Sequence, residues 1–268
     1  ISNVVPCDLL GDATLAGRLA RQVNEAAAEV VRTRPNRFGF FAILPLPHVD
    51  LALKEVAYAL DELGADGVAL LPHGGDHYLG APLFDPLFAE LNRRGAVVLV
   101  HPMDLPQGCT PDVPPVFADY LLDTTRAAIN LITSGTLARY RELSVILCHA
   151  GGFLPYAASR IEVAADLLAN VDPHTVRDGI RRFYYDLALS VPAALPSLLA
   201  AADSRHILYG TDWSGVPASV VEQATRVFDE YRLIDDRTRQ AINRGNALDL
   251  LPGLAARLKA APTPASLR

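Results

Sequence analysis

Three apolar runs of this sequence stop at residues that bind metals and move protons. The run Ala96–Pro102 (AVVLVHP) reaches His101, Ser144–Gly151 (SVILCHAG) reaches His149, and His206–Trp213 (HILYGTDW) reaches Asp212. Imidazole nitrogens and a carboxylate oxygen together suit a divalent transition metal such as zinc. The same groups serve as general acids and bases. Each residue alone has a blander reading. A histidine before proline can simply end a strand, and an aspartate can cap a turn. Three such residues at three strand ends point to a shared site.

The elements that must position them follow from the hydropathy pattern. Apolar runs occur at Ile1–Pro6, Phe38–Pro45, Gly67–His73, Ala96–Pro102, Ser144–Gly151, Phe183–Ser190 and His206–Trp213. They are nearly continuous in hydrophobicity, as in parallel strands buried on both faces. Between them lie segments of helical period: Leu15–Arg34, Asp50–Gly64, Pro82–Arg94, Pro114–Glu142, Leu154–Asn170, Pro173–Arg182, Pro192–Ala202, Pro217–Arg232 and Asp235–Leu250. Strand–helix alternation throughout predicts a parallel sheet. Seven strands are visible, and an upstream one would complete a (β/α)8 barrel, whose strand ends open onto one mouth. An open doubly wound sheet is the alternative, but the Gly-rich G-x-G-x-x-G turn expected of it is missing from the sequence. Side-chain alternation puts Val97, Leu99 and His101 on one side, and Val145, Leu147 and His149 on one side. The same count turns Cys148 toward the helices. The barrel is expected over residues 1–251 and an Ala- and Pro-rich tail over 252–268.

Composition narrows the partners. The 268 residues carry 24 Lys+Arg against 30 Asp+Glu, a net charge of −6, with no basic run. That argues against nucleic acid and anionic membranes. The longest apolar stretch, Leu187–Ala202, is broken by Pro192 and Pro196, so no segment reads as a membrane span. Cys7, Cys109 and Cys148 show no close spacing and read as reduced thiols of a cytoplasmic protein. The chain opens on Ile1 within ISNVVP, which reads like the end of a strand, so a preceding segment is expected.

Several stretches carry a family resemblance: His101-Pro102, CHAGGFLPYAASR (148–160), YYDLALS (184–190), YGTDW (209–213) and RGNALDLL (244–251), with Asp123–Ala128 (DTTRAA) beside them. In this order they resemble the amidohydrolase superfamily, in the branch of aminocarboxymuconate-semialdehyde decarboxylase and the aromatic-acid decarboxylases. The nearest resemblance is to decarboxylases of phenolic acids such as 6-methylsalicylate. The resemblance implies His101 and Asp212 as metal ligands, Asp212 also shuttling a proton, and His149 as a ligand or an acid/base near the metal. It implies that Arg160 grips a substrate carboxylate in a neighbouring subunit's site, hence a homodimer. It also implies a His-x-His or Glu-x-His pair at the end of the first barrel strand. Neither pattern occurs here, so that pair is expected upstream of Ile1.

Asp186, inside FYYDLALS, needs polar partners if buried and is expected either to orient a ligand from behind or to make a purely structural hydrogen bond. Trp213 is expected to wall the pocket beside Asp212. His73 and His77 are expected in a solvated loop, and His174 and His206 at the surface. The expected activity is metal-dependent, non-oxidative decarboxylation of a small aromatic or unsaturated carboxylic acid, with zinc as the metal and manganese as its alternative. Hydrolysis of a lactone or amide, or hydration, is the second reading. A metal-free barrel acting as a binding or assembly protein is the third.

Overall fold

The computed structural model of the protein describes residues 11–108 and 112–260. The expected strand Ile1–Pro6, Cys7 and Cys109 lie outside the described residues. Strand and helix alternate from the start. Helix α1 (Ala13–Thr33) leads into β1 (Phe41–Ile43), then α2 (Val49–Ala57) and β2 (Gly67–Leu70). A small hairpin follows, β3 (His73–Gly74) with β4 (His77–Tyr78), and then α3 (Asp85–Arg93) and β5 (Val97–Val100). Helices α4 (Asp119–Thr133) and α5 (Thr136–Arg139) lead to β6 (Ser144–Leu147), and α6 (Leu154–Ala169) and α7 (Pro173–Arg182) to β7 (Tyr184–Asp186). After α8 (Leu195–Ala201) and β8 (Ile207–Leu208), the helices α9 (Ala218–Asp229), α10 (Asp236–Gln240), α11 (Asn246–Leu250) and α12 (Pro252–Ala260) finish the described chain.

Among the described residues six strands pair in the order β1-β2-β5-β6-β7-β8, each parallel to the next. Neighbours in chain order are neighbours in the sheet, which is the winding of a (β/α)8 barrel rather than of a doubly wound sheet. One face packs under the helices. There Val68, Val98, Val100, Val145, Leu147 and Tyr185 join Leu87, Phe88, Leu131, Leu154 and Ile180 in the main core. The other face gathers Ile43, Ala69, Val97, Leu99, Ile146, Cys148 and Leu208, with Ala16 and Ala20 of α1 and Leu250. At 25 cal/mol per Å² of apolar surface, such burial is the main force holding the layers together.

Among the described residues β1 is the first strand of the sheet, with one side free of strand pairing. Asn24 of α1 covers that side: its amide donates to Ile43 O at 3.0 Å and its oxygen accepts from Ile43 N at 2.9 Å. Glu55 accepts a second bond from Asn24 at 2.8 Å and pairs with Arg21 at 2.9 Å, which fastens α1 to α2.

The strands are shorter than the apolar runs. The run at Ala96–Pro102 yields a strand over Val97–Val100, and His206–Trp213 yields one over Ile207–Leu208 only. Apolar character outlasts the ladder because residues beyond it still pack: Tyr209, just past β8, lies against the main core with its ring 6.0 Å from that of Phe228. The expected helix over Pro114–Glu142 is broken at Gly135, whose φ of 75° is left-handed. Beyond that break Arg182 fills the gap with its guanidinium, donating to Leu137 O, to Tyr140 O at 2.7 Å and to Leu143 O at 3.2 Å. Pro252–Ala260, counted above with the tail, is helical, and its Arg257 donates to both oxygens of Asp66 at 2.8 and 2.9 Å.

Candidate metal centre and active site

His101, His149 and Asp212 come together at the C-terminal rim of the strands. One ligand atom from each lies within 4.8 Å of the others. His101 Nε2 is 3.5 Å from Asp212 Oδ1. The two imidazoles meet edge to face, with centroids 5.4 Å apart and planes at 67°. All three side chains are half-buried, so a substrate can reach them.

Each residue arrives by a different local route. His101 directly follows β5, and its backbone N–H still donates to Leu70 O at 3.0 Å, as one more rung of the ladder. Its Nδ1 lies 3.0 Å from Pro102 O, which leaves Nε2 toward the centre. His149 does not arrive by strand alternation. In the β5–β6 register Val100 stands opposite Leu147, so Cys148 is the residue level with His101. Cys148 accordingly lies on the inner face with Leu99 and Ile146, not toward the helices as simple counting expects. Burial, with the carboxylates of Asp186 and Asp212 nearby, pushes its thiol up, so it is no nucleophile. The ladder stops at Leu147, and His149 and Ala150 both take φ of 54°. That left-handed turn swings the His149 ring back over the rim. Non-glycine residues in this region concentrate at functional sites, and Asp212, at φ 59°, is another.

Asp186, the last residue of β7, holds the turn. Its Oδ1 accepts from His149 N at 2.9 Å and from Ala188 N at 2.9 Å. Ala188 O in turn lies 3.2 Å from His149 Nδ1 and fixes the ring. Gly210 lets β8 pass close by, since a Cβ there would lie 3.0 Å from Asp186 Cβ. The two glycines after Ala150 are equally constrained. A Cβ on Gly151 would lie 2.7 Å from the Tyr185 ring, and one on Gly152 2.1 Å from Leu121 O.

The electrostatics match a cation site. The hydrogen bond to His101 holds the Asp212 carboxyl below its ordinary value, against burial that raises it, with the charge of His149 also lowering it. Two imidazole nitrogens and one carboxylate oxygen, clustered and open to one side, are a donor set that fits a divalent transition metal.

The other expected residues separate. Trp213 is 65% exposed beside Asp212. Arg160 is exposed on α6 and makes no hydrogen bond or ion pair with any described residue. His77 is exposed as expected, but His73 is buried. It packs against Asp123 of α4, a buried carboxylate that opens the DTTRAA stretch but to which the resemblance assigned no role. Only a polar residue at a helical position expected to face the core could have signalled it. His174 is exposed, and His206 stacks on Tyr184 at 4.2 Å.

The family model described as Amidohydrolase matches residues 10–253. The chain belongs to this amidohydrolase family. Among its relatives, 6-methylsalicylic acid decarboxylase of Penicillium expansum is 38% identical over 260 residues, covering 91% of this chain and 78% of the relative. A crystal structure of an amidohydrolase II superposes with a TM-score of 0.84 at 32% identity, covering 90% of this amidohydrolase and 79% of that chain. The dihydroxybenzoic acid decarboxylase of Polaromonas sp. JS666, crystallised with manganese and 2-nitroresorcinol, shares the fold, with a TM-score of 0.77 at 24% identity over 90% of this chain and 77% of its own. No described helix is long and apolar enough to cross a membrane.

Proposed function

We propose that this amidohydrolase removes carbon dioxide, without oxidation, from a small aromatic carboxylic acid at the rim formed by His101, His149 and Asp212. The observation that carries this reading is the convergence of three ligand side chains from distant strand ends within 4.8 Å. The substrate class comes from relatives such as the 6-methylsalicylic acid decarboxylase of Penicillium expansum.

A bound divalent cation would polarise the substrate's carboxylate or a neighbouring hydroxyl. Zinc suits two imidazoles and a carboxylate, and the manganese of the Polaromonas enzyme makes that metal the alternative. The protein's own residues handle the proton. As the bond to the carboxylate breaks, its electron pair stays on the ring carbon and carbon dioxide leaves. A protonated His149 or Asp212 delivers its proton to that carbon and regains one from water. Asp186 keeps His149 in place through its backbone N–H. Trp213 walls the ring of the substrate. Arg160 grips the carboxylate of a substrate in a partner subunit, as a bidentate donor. Its support is the exposed face of α6, where Tyr156, Val163 and Leu167 flank Arg160 at helical spacing. Exposed apolar patches of this kind mark interfaces, so the reading is of a homodimer. The unpaired Cys148 fits a cytoplasmic setting.

The test is turnover of 6-methylsalicylate and related phenolic acids by full-length protein in D2O. The expected result is carbon dioxide and a product with one deuterium on the carbon that bore the carboxylate. A product containing oxygen from the solvent would replace this reading with hydrolysis or hydration.

A further inference from the structure

The hairpin after β2 buries a histidine that the site above does not use. His73 is 4% exposed. Its Nδ1 lies 3.0 Å from Gly75 O and its Nε2 2.9 Å from Asp104 O. A neutral imidazole has one N–H and one lone pair, so it satisfies only one of two carbonyl oxygens. The imidazolium donates to both. A buried cation needs a counter-charge, and Asp123 supplies it. That residue is 0% exposed, its Oδ1 lies 3.8 Å from His73 Nε2, and Oδ1 has no hydrogen-bond partner of its own. The Tyr78 ring stands edge-on to His73 at 5.6 Å, and Arg126 of α4 acts on both Tyr78 and Asp123. Asp76 and His77, at the tip of the hairpin, are exposed. Burial pushes the Asp123 carboxyl up, with the charge of His73 and the Met103 N–H opposing it.

This pair grips the segment that follows His101. His73 holds the carbonyl of Asp104, and Asp123 Oδ2 accepts from Met103 N at 3.2 Å. Both anchor points lie within three residues of His101, on a stretch without regular secondary structure. We propose that His73 is a cationic positioning residue: as an imidazolium against Asp123 it locks the Met103–Asp104 backbone and so fixes the direction of the His101 ring. The positioning role rests on the reading of His101 as a metal ligand; the charge state of His73 does not.

The test has two readouts on the full-length protein. In the side-chain 15N spectrum at pH 7.5, assigned by loss of the signal in His73→Gln, both His73 nitrogens are expected in the doubly protonated range. One unprotonated nitrogen would overturn the cation. Second, His73→Gln and Asp123→Asn are expected to weaken Mn2+ binding, followed by calorimetry, about tenfold, as for other residues that orient metal ligands. Unchanged affinity in either folded variant would overturn the positioning role. Where His73→Gln fails to fold, through-space contacts to the Tyr78 ring assign the His73 signals and Asp123→Asn carries the binding test. A wild type that binds Mn2+ yet releases no carbon dioxide would refute the decarboxylase reading and leave this one standing.

Discussion

Asp186 offers the sharpest test of how the rim is built. One carboxylate oxygen accepts the backbone N–H groups of His149 and Ala188, both at 2.9 Å. His149 sits in left-handed backbone at φ 54°, which costs on the order of 1–3 kcal/mol unless its surroundings hold it there. A hydrogen bond to a charged group contributes about 1.5–3 kcal/mol. Asp186→Leu removes two of them and relieves part of the cost of a half-buried charge, so the expected net loss is about 3 kcal/mol. Asp186→Asn keeps an acceptor oxygen in the same place, and its expected loss is about 1 kcal/mol. Urea denaturation of the two variants measures the difference, and metal content after dialysis tests the proposed part of His149 in holding the ion. The leucine variant should lose metal and the asparagine variant should keep most of it. A leucine variant with the wild-type midpoint and full metal content would show that the carboxylate does not hold His149, and the account of the turn would fall.

Other outcomes follow from the fold around the site. Gly152→Ala places a Cβ 2.1 Å from Leu121 O at φ 64°, so a loss of about 3 kcal/mol or more is expected, and a wild-type melting temperature would refute the packing argument. Glu90 accepts from Arg93 and Arg94, whose hydrogen bonds hold its carboxyl at about 2, below its ordinary 4.5. Its contribution is therefore complete above about pH 4.5 and fades as the pH falls toward 2. Glu90→Gln should cost about 1 kcal/mol at pH 7, the scale of a partly exposed pair, and the difference from wild type should close in acid. A pH-independent difference in urea midpoint would contradict that.

Much of this protein was legible along the chain. The alternation of apolar runs and helical periods announced parallel strands, because a strand buried on both faces has no room for polar residues. His101 and Asp212 stood out because a polar side chain at the end of an apolar run has only the barrel mouth to enter. The tertiary structure decided three things that spacing cannot carry. It placed Cys148, not His149, level with His101, because register is set by pairing with the neighbouring strand. It brought His149 to the rim through a left-handed turn fastened by Asp186, a contact 37 residues away in sequence. And it buried His73 against Asp123, because the hairpin folds onto α4 rather than into solvent. Residue type and local period are written in the sequence; the pairing of distant backbone and side-chain groups is settled only when packing brings them within hydrogen-bond reach.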